Sequence, residues 1–115
     1  MIGLITYSEI TRHLLHNYLG EYEIRNLEYD AENFSRCELV IIDLLKLETV
    51  WSLCEKVSQL PWNLPILLIV ADHSLQFPVE QIKKFKDFNP NNNMVHKPFN
   101  HLDLLEKVKH TTGDR

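Results

Sequence analysis

The sequence lacks the features that mark nucleic-acid-binding and membrane proteins. Its 12 Lys and Arg residues are outnumbered by 16 Asp and Glu residues, so the formal net charge is −4 and no basic surface for phosphate contacts is expected. The longest apolar runs, 39–42 and 66–71, have the length of strands and are far too short to span a membrane. The amino terminus has neither a basic segment nor a long apolar one, so no secretory signal is predicted. We therefore expect a cytoplasmic domain that binds neither nucleic acid nor membrane.

Cysteine and histidine are too scattered to indicate a disulfide or a metal site. Cys37 and Cys54 form no CxxC motif and have no zinc-type spacing, so we predict two buried free thiols. The six histidines are not clustered. His13 and His16 are three residues apart, but they fall on the polar face of a predicted helix, where a solvated role is the better interpretation. We expect no metal and no other cofactor.

The remaining composition is that of one folded domain. The chain has 115 residues, of which 44% are hydrophobic and 24% charged, which suffices for a single core but not for two. No internal repeat or low-complexity segment is visible. We predict one domain over residues 1–110, followed by a polar tail, 111–115, that would begin a linker if an output domain follows.

Apolar strands and amphipathic helices alternate along the chain. The predicted strands are 2–5, 22–27, 38–43, 65–71 and 94–95, and the predicted helices include 9–19, 50–57, 79–88 and 104–108. The third and fourth strands are continuous apolar runs, which is typical of central parallel strands buried on both faces. The alternation predicts an α/β fold with a five-stranded, doubly wound parallel sheet and helices on both faces.

Ligands of such folds bind at the carboxyl ends of the strands. There the turn LITYSEIT, residues 4–11, has several hydroxyls, no glycine, and no carboxylate before Glu9. Its residues fit a phosphate cradle, a disabled metal site, or a turn in which Thr6 and Ser8 only satisfy the backbone and cap the helix. The other strand ends carry Asp43, residues 70–72 and Lys97.

Three stretches carry a resemblance to a known family: ELVIID ending at Asp43, LPILLIVA ending at Ala71, and HKPFNHLDLLEKV containing Lys97. Their order and spacing, together with the segment ITRHLLHNYLGEYEI, resemble the receiver domain of two-component response regulators over roughly residues 1–110. The resemblance implies a flavodoxin-like strand order of 2-1-3-4-5. It also places Asp43 at the phosphoacceptor position and Lys97 at the position of the family's lysine, and we expect these two side chains to form a direct ion pair.

The chain departs from the family pattern at four site positions, and also in the loop after Asp43, which reads Lys46, Leu47, Val50 and Trp51 instead of Met-Pro and Asp-Gly. Thr6 and Tyr7 stand where the family has two acidic residues that help to bind Mg²⁺. Val70 replaces the hydroxyl residue that ends the fourth strand, and Met94 replaces the aromatic switch residue. Asp72 lies two residues too late to compensate and is predicted to cap the next helix. The resemblance therefore implies an atypical receiver, or pseudo-receiver, that is not an enzyme and acts by binding a protein partner or a second copy of itself.

Two alternatives remain open. An ordinary phosphoaccepting receiver would use Asp43 and Lys97, which are both retained. A small flavodoxin-like protein would bind FMN at the hydroxyl-rich turn, although Glu9 stands where glycine would let the backbone approach phosphate.

Trp51 and Leu102 are the candidate interface residues. Both lie off the apolar stripes of their predicted helices, which is typical either of scattered surface residues, the commoner case, or of interface anchors. Receivers commonly dimerise or bind partners through the last two helices and the last strand, which span about residues 79–108 here and include Leu102.

Overall fold

The computed structural model describes residues 1–27, 34, 36–43, 47–70 and 79–112. Its strands are Ile2–Thr6 (β1), Ile24–Asn26 (β2), Leu39–Asp43 (β3), Ile66–Val70 (β4) and Asn93–His96 (β5). All neighbouring strands pair in parallel, and the sheet order is β2-β1-β3-β4-β5. The predicted fold class and strand order are therefore confirmed.

The described helices are Glu9–Tyr18 (α1), Leu47–Ser58 (α2), Val79–Phe88 (α3) and His101–Thr112 (α4). Helix α1 begins after Ser8, whose side-chain oxygen accepts the backbone N–H of Thr11 at 3.2 Å and so acts as an N-cap. No helix in the described part of the chain is long and apolar enough to cross a membrane.

Two hydrophobic clusters cover the two faces of the sheet. The three central strands, β1, β3 and β4, are buried along their whole length. Successive strand residues point to opposite faces, so Val40 and Ile42 of β3 join one cluster while Leu39 and Ile41 join the other. The first cluster packs against α2 and α3, and the second packs against α1 and α4. We call them the α2/α3 core and the α1/α4 core.

The edges of several elements differ from the sequence prediction. Strand β2 has only the three residues Ile24–Asn26 rather than 22–27, because it lies at the edge of the sheet and pairs with β1 alone. Helix α4 begins at His101, before its first buried apolar residue, Leu104. Apolar periodicity marks only the residues that face the core, whereas backbone hydrogen bonding continues beyond them.

Part of the prediction lies outside the described residues. The proposed cap at Asp72 and the end of the fourth predicted strand at Ala71 are in the segment 71–78. The last residues of the predicted polar tail, 113–115, are also outside the described part.

Candidate functional site

The candidate site lies at the carboxyl edge of the sheet, where β1, β3 and β5 end. Thr6 and Asp43 are paired in register on adjacent parallel strands. The Thr6 hydroxyl donates a hydrogen bond to Asp43 Oδ2 at 3.0 Å. Lys97 Nζ lies 3.2 Å from the same carboxylate oxygen, so the ion pair predicted between Asp43 and Lys97 is confirmed.

Lys97 reaches Asp43 because the β4–β5 ladder continues one residue past the end of β5. The backbone N–H of Lys97 donates to the carbonyl oxygen of Val70 at 2.9 Å, which fixes the start of the β5–α4 loop against β4. The following Lys97–Pro98 peptide bond is cis. The sheet itself thus brings together two residues that are 54 positions apart in the sequence.

Burial makes this contact matter for stability. The Asp43 side chain is 9% exposed and that of Lys97 32% exposed. A buried carboxylate is costly unless it is paired with a charge and hydrogen-bonded, and Asp43 has both kinds of partner. The Lys97 side chain is partly exposed, so the pair lies at the boundary between the interior and the solvent.

The turn after β1 satisfies its own polar groups. Thr6 Oγ1 accepts the backbone N–H of Ser8 at 3.0 Å while its hydroxyl hydrogen is donated to Asp43. Ser8 in turn caps α1 through Thr11. The interpretation of Thr6 and Ser8 as turn and cap residues is therefore confirmed, and the donation from Thr6 to Asp43 adds a link that this interpretation did not include.

Two further residues belong to the site: Thr11, which is one of the hydroxyls noted in the turn, and Arg12, which sequence reasoning missed. Thr11 Oγ1 lies 3.4 Å from Lys97 Nζ, a long contact that adds a second polar neighbour to the ammonium group. Arg12 donates from one terminal nitrogen to the carbonyl oxygen of Thr6 at 3.2 Å, and its other terminal nitrogen pairs with Glu9. The spacing of Glu9 and Arg12 could have indicated their ion pair. The contact with Thr6 depends on how the turn folds back onto the helix.

Val70 and Met94 lie in the α2/α3 core and have no contact with Asp43 among the described interactions. Val70 is buried within this core, and Met94 is half-buried and packs against it. Tyr7 is 64% exposed to solvent. Thr6 is the predicted site position with a described hydrogen bond to Asp43.

These residues do not fit Mg²⁺. The ion usually takes one or two carboxylates together with water and phosphate oxygens. Asp43 is the one carboxylate among the described partners of Thr6 and Lys97, and its Oδ2 already accepts from both. In the described ranges, no group of three or more His, Cys, Asp and Glu side chains is placed to hold a metal ion.

The two candidate interface residues have different surroundings. Leu102 is 73% exposed on the first turn of α4. Trp51 is half-buried: its ring stacks on Phe88 at 6.0 Å between centroids, and Lys84 Nζ lies 5.0 Å above it. Trp51 therefore helps to hold α2 against α3. Whether either residue contacts a partner stays a prediction.

A solved structure is similar to this chain over almost its whole length. The crystal structure of NtrX from Brucella abortus in complex with ADP matches with a TM-score of 0.72, covering 97% of this chain and 26% of that chain. The two sequences are 18% identical, so the similarity is one of fold. No protein-family model and no curated protein matches the sequence. This similarity agrees with the flavodoxin-like strand order, 2-1-3-4-5, of the described sheet.

Proposed function

We propose that this chain is a receiver-like signalling domain that acts through protein binding, without Mg²⁺-dependent phosphorylation of Asp43. The observation that carries the proposal is the closed network around Asp43. Its Oδ2 accepts from the Thr6 hydroxyl at 3.0 Å and faces the Lys97 ammonium at 3.2 Å. The neutral hydroxyl of Thr6 thus lies beside Asp43, at a position where the family resemblance expects a carboxylate that helps to hold Mg²⁺.

The charge requirement of phosphoryl transfer supports this proposal. The negative charge of the incoming group has to be neutralised, which in such reactions is mainly the work of a metal ion. Thr6 and Tyr7 carry no charge at neutral pH, so Lys97 is the one charged group among the described partners of Asp43 that would face a phosphoryl group there. Capture of a phosphoryl group is therefore disfavoured.

The residues that would report phosphorylation are also changed. Val70 has no hydroxyl to donate to a phosphoryl oxygen, and it is fully packed in the α2/α3 core. Met94 has no aromatic ring to move between an exposed and a buried position. Without the hydroxyl group and the aromatic switch residue, the domain would act through a surface that does not change on phosphorylation. It would then be a binding module and not an enzyme.

An ordinary phosphoaccepting receiver is the second candidate. The contact between Asp43 and Lys97 favours it, because both residues keep the positions that the family resemblance assigns to them. FMN binding is less well supported. The Ser8 and Thr11 N–H groups that would cradle a phosphate are already hydrogen-bonded within the turn, and Glu9 adds a negative charge there.

Treatment with acetyl phosphate, or with beryllium fluoride, in the presence of Mg²⁺ separates the two candidates. We expect the intact mass to remain that of the unmodified chain, and the amide NMR signals around Asp43 to stay unchanged. Stoichiometric phosphorylation of Asp43, or a Mg²⁺-dependent beryllofluoride shift centred on it, would establish the ordinary receiver instead.

A converse experiment restores the missing charge. In the double variant Thr6→Asp, Tyr7→Asp, we expect Mg²⁺ to bind and to shift the amide signals near Asp43, because two carboxylates join the existing one. The matched control is Thr6→Asn, Tyr7→Asn, which has similar size and no added charge, and it should not respond to Mg²⁺.

A further inference from the structure

A groove lies between α3, β5 and α4. Its volume is about 780 Å³, and small-molecule sites in proteins usually have volumes of about 300–1,000 Å³. Neither Asp43 nor Lys97 lines this groove. It is therefore separate from the candidate functional site, and the proposed function does not use it.

Two lysines from different helices line the groove where α3 ends and β5 begins. Lys86 lies in the last turn of α3, and Lys107 lies on α4. Partial burial and the positive charge of Lys107 together lower the pKa of the Lys86 ammonium group. A like charge has this effect only at short range, so the two ammonium groups are held close enough to repel each other. We call this part of the cavity the lysine end of the groove.

The lysine end has no acidic partner within the described part of the chain. Lys86 donates to the backbone carbonyl oxygen of Asn92, which occupies one of the three N–H donors of its ammonium group. Neither Lys86 nor Lys107 forms an ion pair with a described residue. His110, three residues after Lys107 on the same helix, adds a ring nitrogen to the lining. These groups therefore offer positive charge and N–H donors to a ligand.

Two acidic residues of α4, Asp103 and Glu106, also line the groove. Asp103 lies four residues before Lys107, about 6 Å nearer the amino terminus of the helix. A carboxylate close to Lys86 would raise the pKa of its ammonium group, whereas this pKa is lowered. The two acids therefore leave the lysine end without charge compensation.

Apolar residues line another part of the groove. Met94 and Phe99 are half-buried there, and Pro98 is exposed beside them. The groove thus combines a positively charged end with an apolar wall. This combination is complementary to a small molecule that has an anionic group and an apolar part.

We propose that this groove binds a small organic phosphate, whose phosphate group lies between Lys86 and Lys107 and whose apolar part packs on Met94 and Phe99. A phosphate ester carries close to two negative charges at neutral pH and has three strong acceptor oxygens, so it matches two ammonium groups. Lysine binds phosphate as a point charge and needs no bidentate geometry. The positive charge is concentrated in a groove of small-molecule size, which favours such a ligand over an acidic protein segment.

Titration of the full chain with phenyl phosphate, followed by amide NMR at constant ionic strength, tests this proposal. Constant ionic strength is needed because added salt also screens exposed charges. At about pH 7.5, where the phosphate group is a dianion, we expect saturable shifts at Asn93, Met94 and Lys107. Inorganic phosphate should bind there more weakly because it lacks the apolar part. Benzoate should also bind more weakly, because it carries one negative charge instead of two.

Substitution of each lysine tests the two charges separately. Lys86→Gln and Lys107→Gln should each weaken the binding of phenyl phosphate by ~10-fold or more, because each removes a charge-assisted hydrogen bond. The matched control is Lys109→Gln, which removes an exposed lysine of the same helix outside the groove lining and should leave the affinity unchanged. Circular dichroism and thermal unfolding check that all three variants are folded.

The pKa of the Lys86 ammonium group, measured by NMR of the side chain, gives a second readout. Saturation with phenyl phosphate should raise this pKa, because a bound anion stabilises the charged form of the lysine. Lys107→Gln should raise it without any ligand, because the like charge is removed. A purely structural role of the two lysines predicts no response of this pKa to phenyl phosphate.

The proposal is overturned if no shift saturates, if the shifts centre on Asp43 and Lys97, or if Lys109→Gln weakens binding as much as Lys107→Gln does. Benzoate that binds as tightly as phenyl phosphate would show that the groove does not recognise phosphate, and would overturn it equally. An acidic peptide that shifts these signals when phenyl phosphate does not would assign the groove to a protein partner instead. None of these outcomes depends on phosphorylation of Asp43, so the proposed function is tested separately.

Discussion

At the scale of single residues, Thr6 joins the turn after β1 to the charged pair at the sheet edge. Its hydroxyl accepts the N–H of Ser8 and donates to Asp43, so it uses both of its hydrogen-bonding capacities. At the same position, an acidic residue would bring a second negative charge next to Asp43. Thr6 therefore stabilises Asp43 by a hydrogen bond without adding a second negative charge beside it.

Replacement of the Thr6 hydroxyl should lower the free energy of unfolding. Thr6→Val keeps the shape of the side chain but leaves the buried Asp43 carboxylate with one partner fewer, so we expect a loss of about 1–3 kcal/mol in the free energy of unfolding. Urea denaturation followed by circular dichroism measures it. Thr6→Ser keeps the hydroxyl and should lose less. Equal stability of the valine variant and the natural chain would show that the contact between Thr6 and Asp43 contributes nothing.

At the scale of elements, Asn92 connects two parts of the chain that do not pair directly. It is 1% exposed, just before β5. Its side-chain oxygen accepts the N–H of Ile66 at the start of β4, and its amide donates to the carbonyl oxygen of Phe85 in α3, at 2.8 and 2.9 Å. One side chain thus holds the end of α3 against the first residues of β4 and β5.

We expect Asn92→Ala to destabilise the protein by about 2 kcal/mol or more, because a buried N–H and a buried carbonyl lose their partner together. The matched control is Asn91→Ala, at an exposed neighbour of the same type, which should stay within about 0.5 kcal/mol. Thermal and urea unfolding of the two variants give the comparison. If both variants unfold alike, Asn92 does not connect these elements.

At the scale of the whole molecule, the two thiols report on the α2/α3 core. Cys37 and Cys54 are free and buried in this one cluster, as the sequence predicted. Burial raises the pKa of both thiols, that of Cys54 to about 12. Both thiols are therefore protonated and inaccessible in the folded protein at neutral pH.

We expect a thiol reagent to label neither cysteine in native buffer, and to label both over the same urea range in which circular dichroism is lost. Rapid labelling of one cysteine before unfolding would show instead that the core opens locally.

The raised thiol pKa values also predict how the stability of the fold depends on pH. In the unfolded chain a thiol has its usual pKa near 9.0 and loses its proton at a lower pH than in the folded protein. The free energy of unfolding should therefore decline as the pH rises above about 9.

The sequence by itself determined the fold class, the order of the elements and the edge of the sheet at which Asp43 and Lys97 meet. Apolar runs such as the one ending at Asp43 are long enough to identify central strands. Parallel strands place their carboxyl ends at one edge, so residues far apart in sequence are brought together by topology alone. Topology places both residues at this edge, and the family resemblance predicted that they would form an ion pair there.

Only the tertiary structure decided which other side chains complete the site. Thr6 and Asp43 meet because β1 and β3 pair in one register, and a shift of one residue would separate them. The same limit applies to exposure: Ile10 and Leu15 both follow helical spacing, yet Leu15 is buried and Ile10 is 76% exposed. Periodicity is a local property that gives the face of a helix, whereas hydrogen-bond partners and the depth of burial depend on register, loop path and the packing of distant segments.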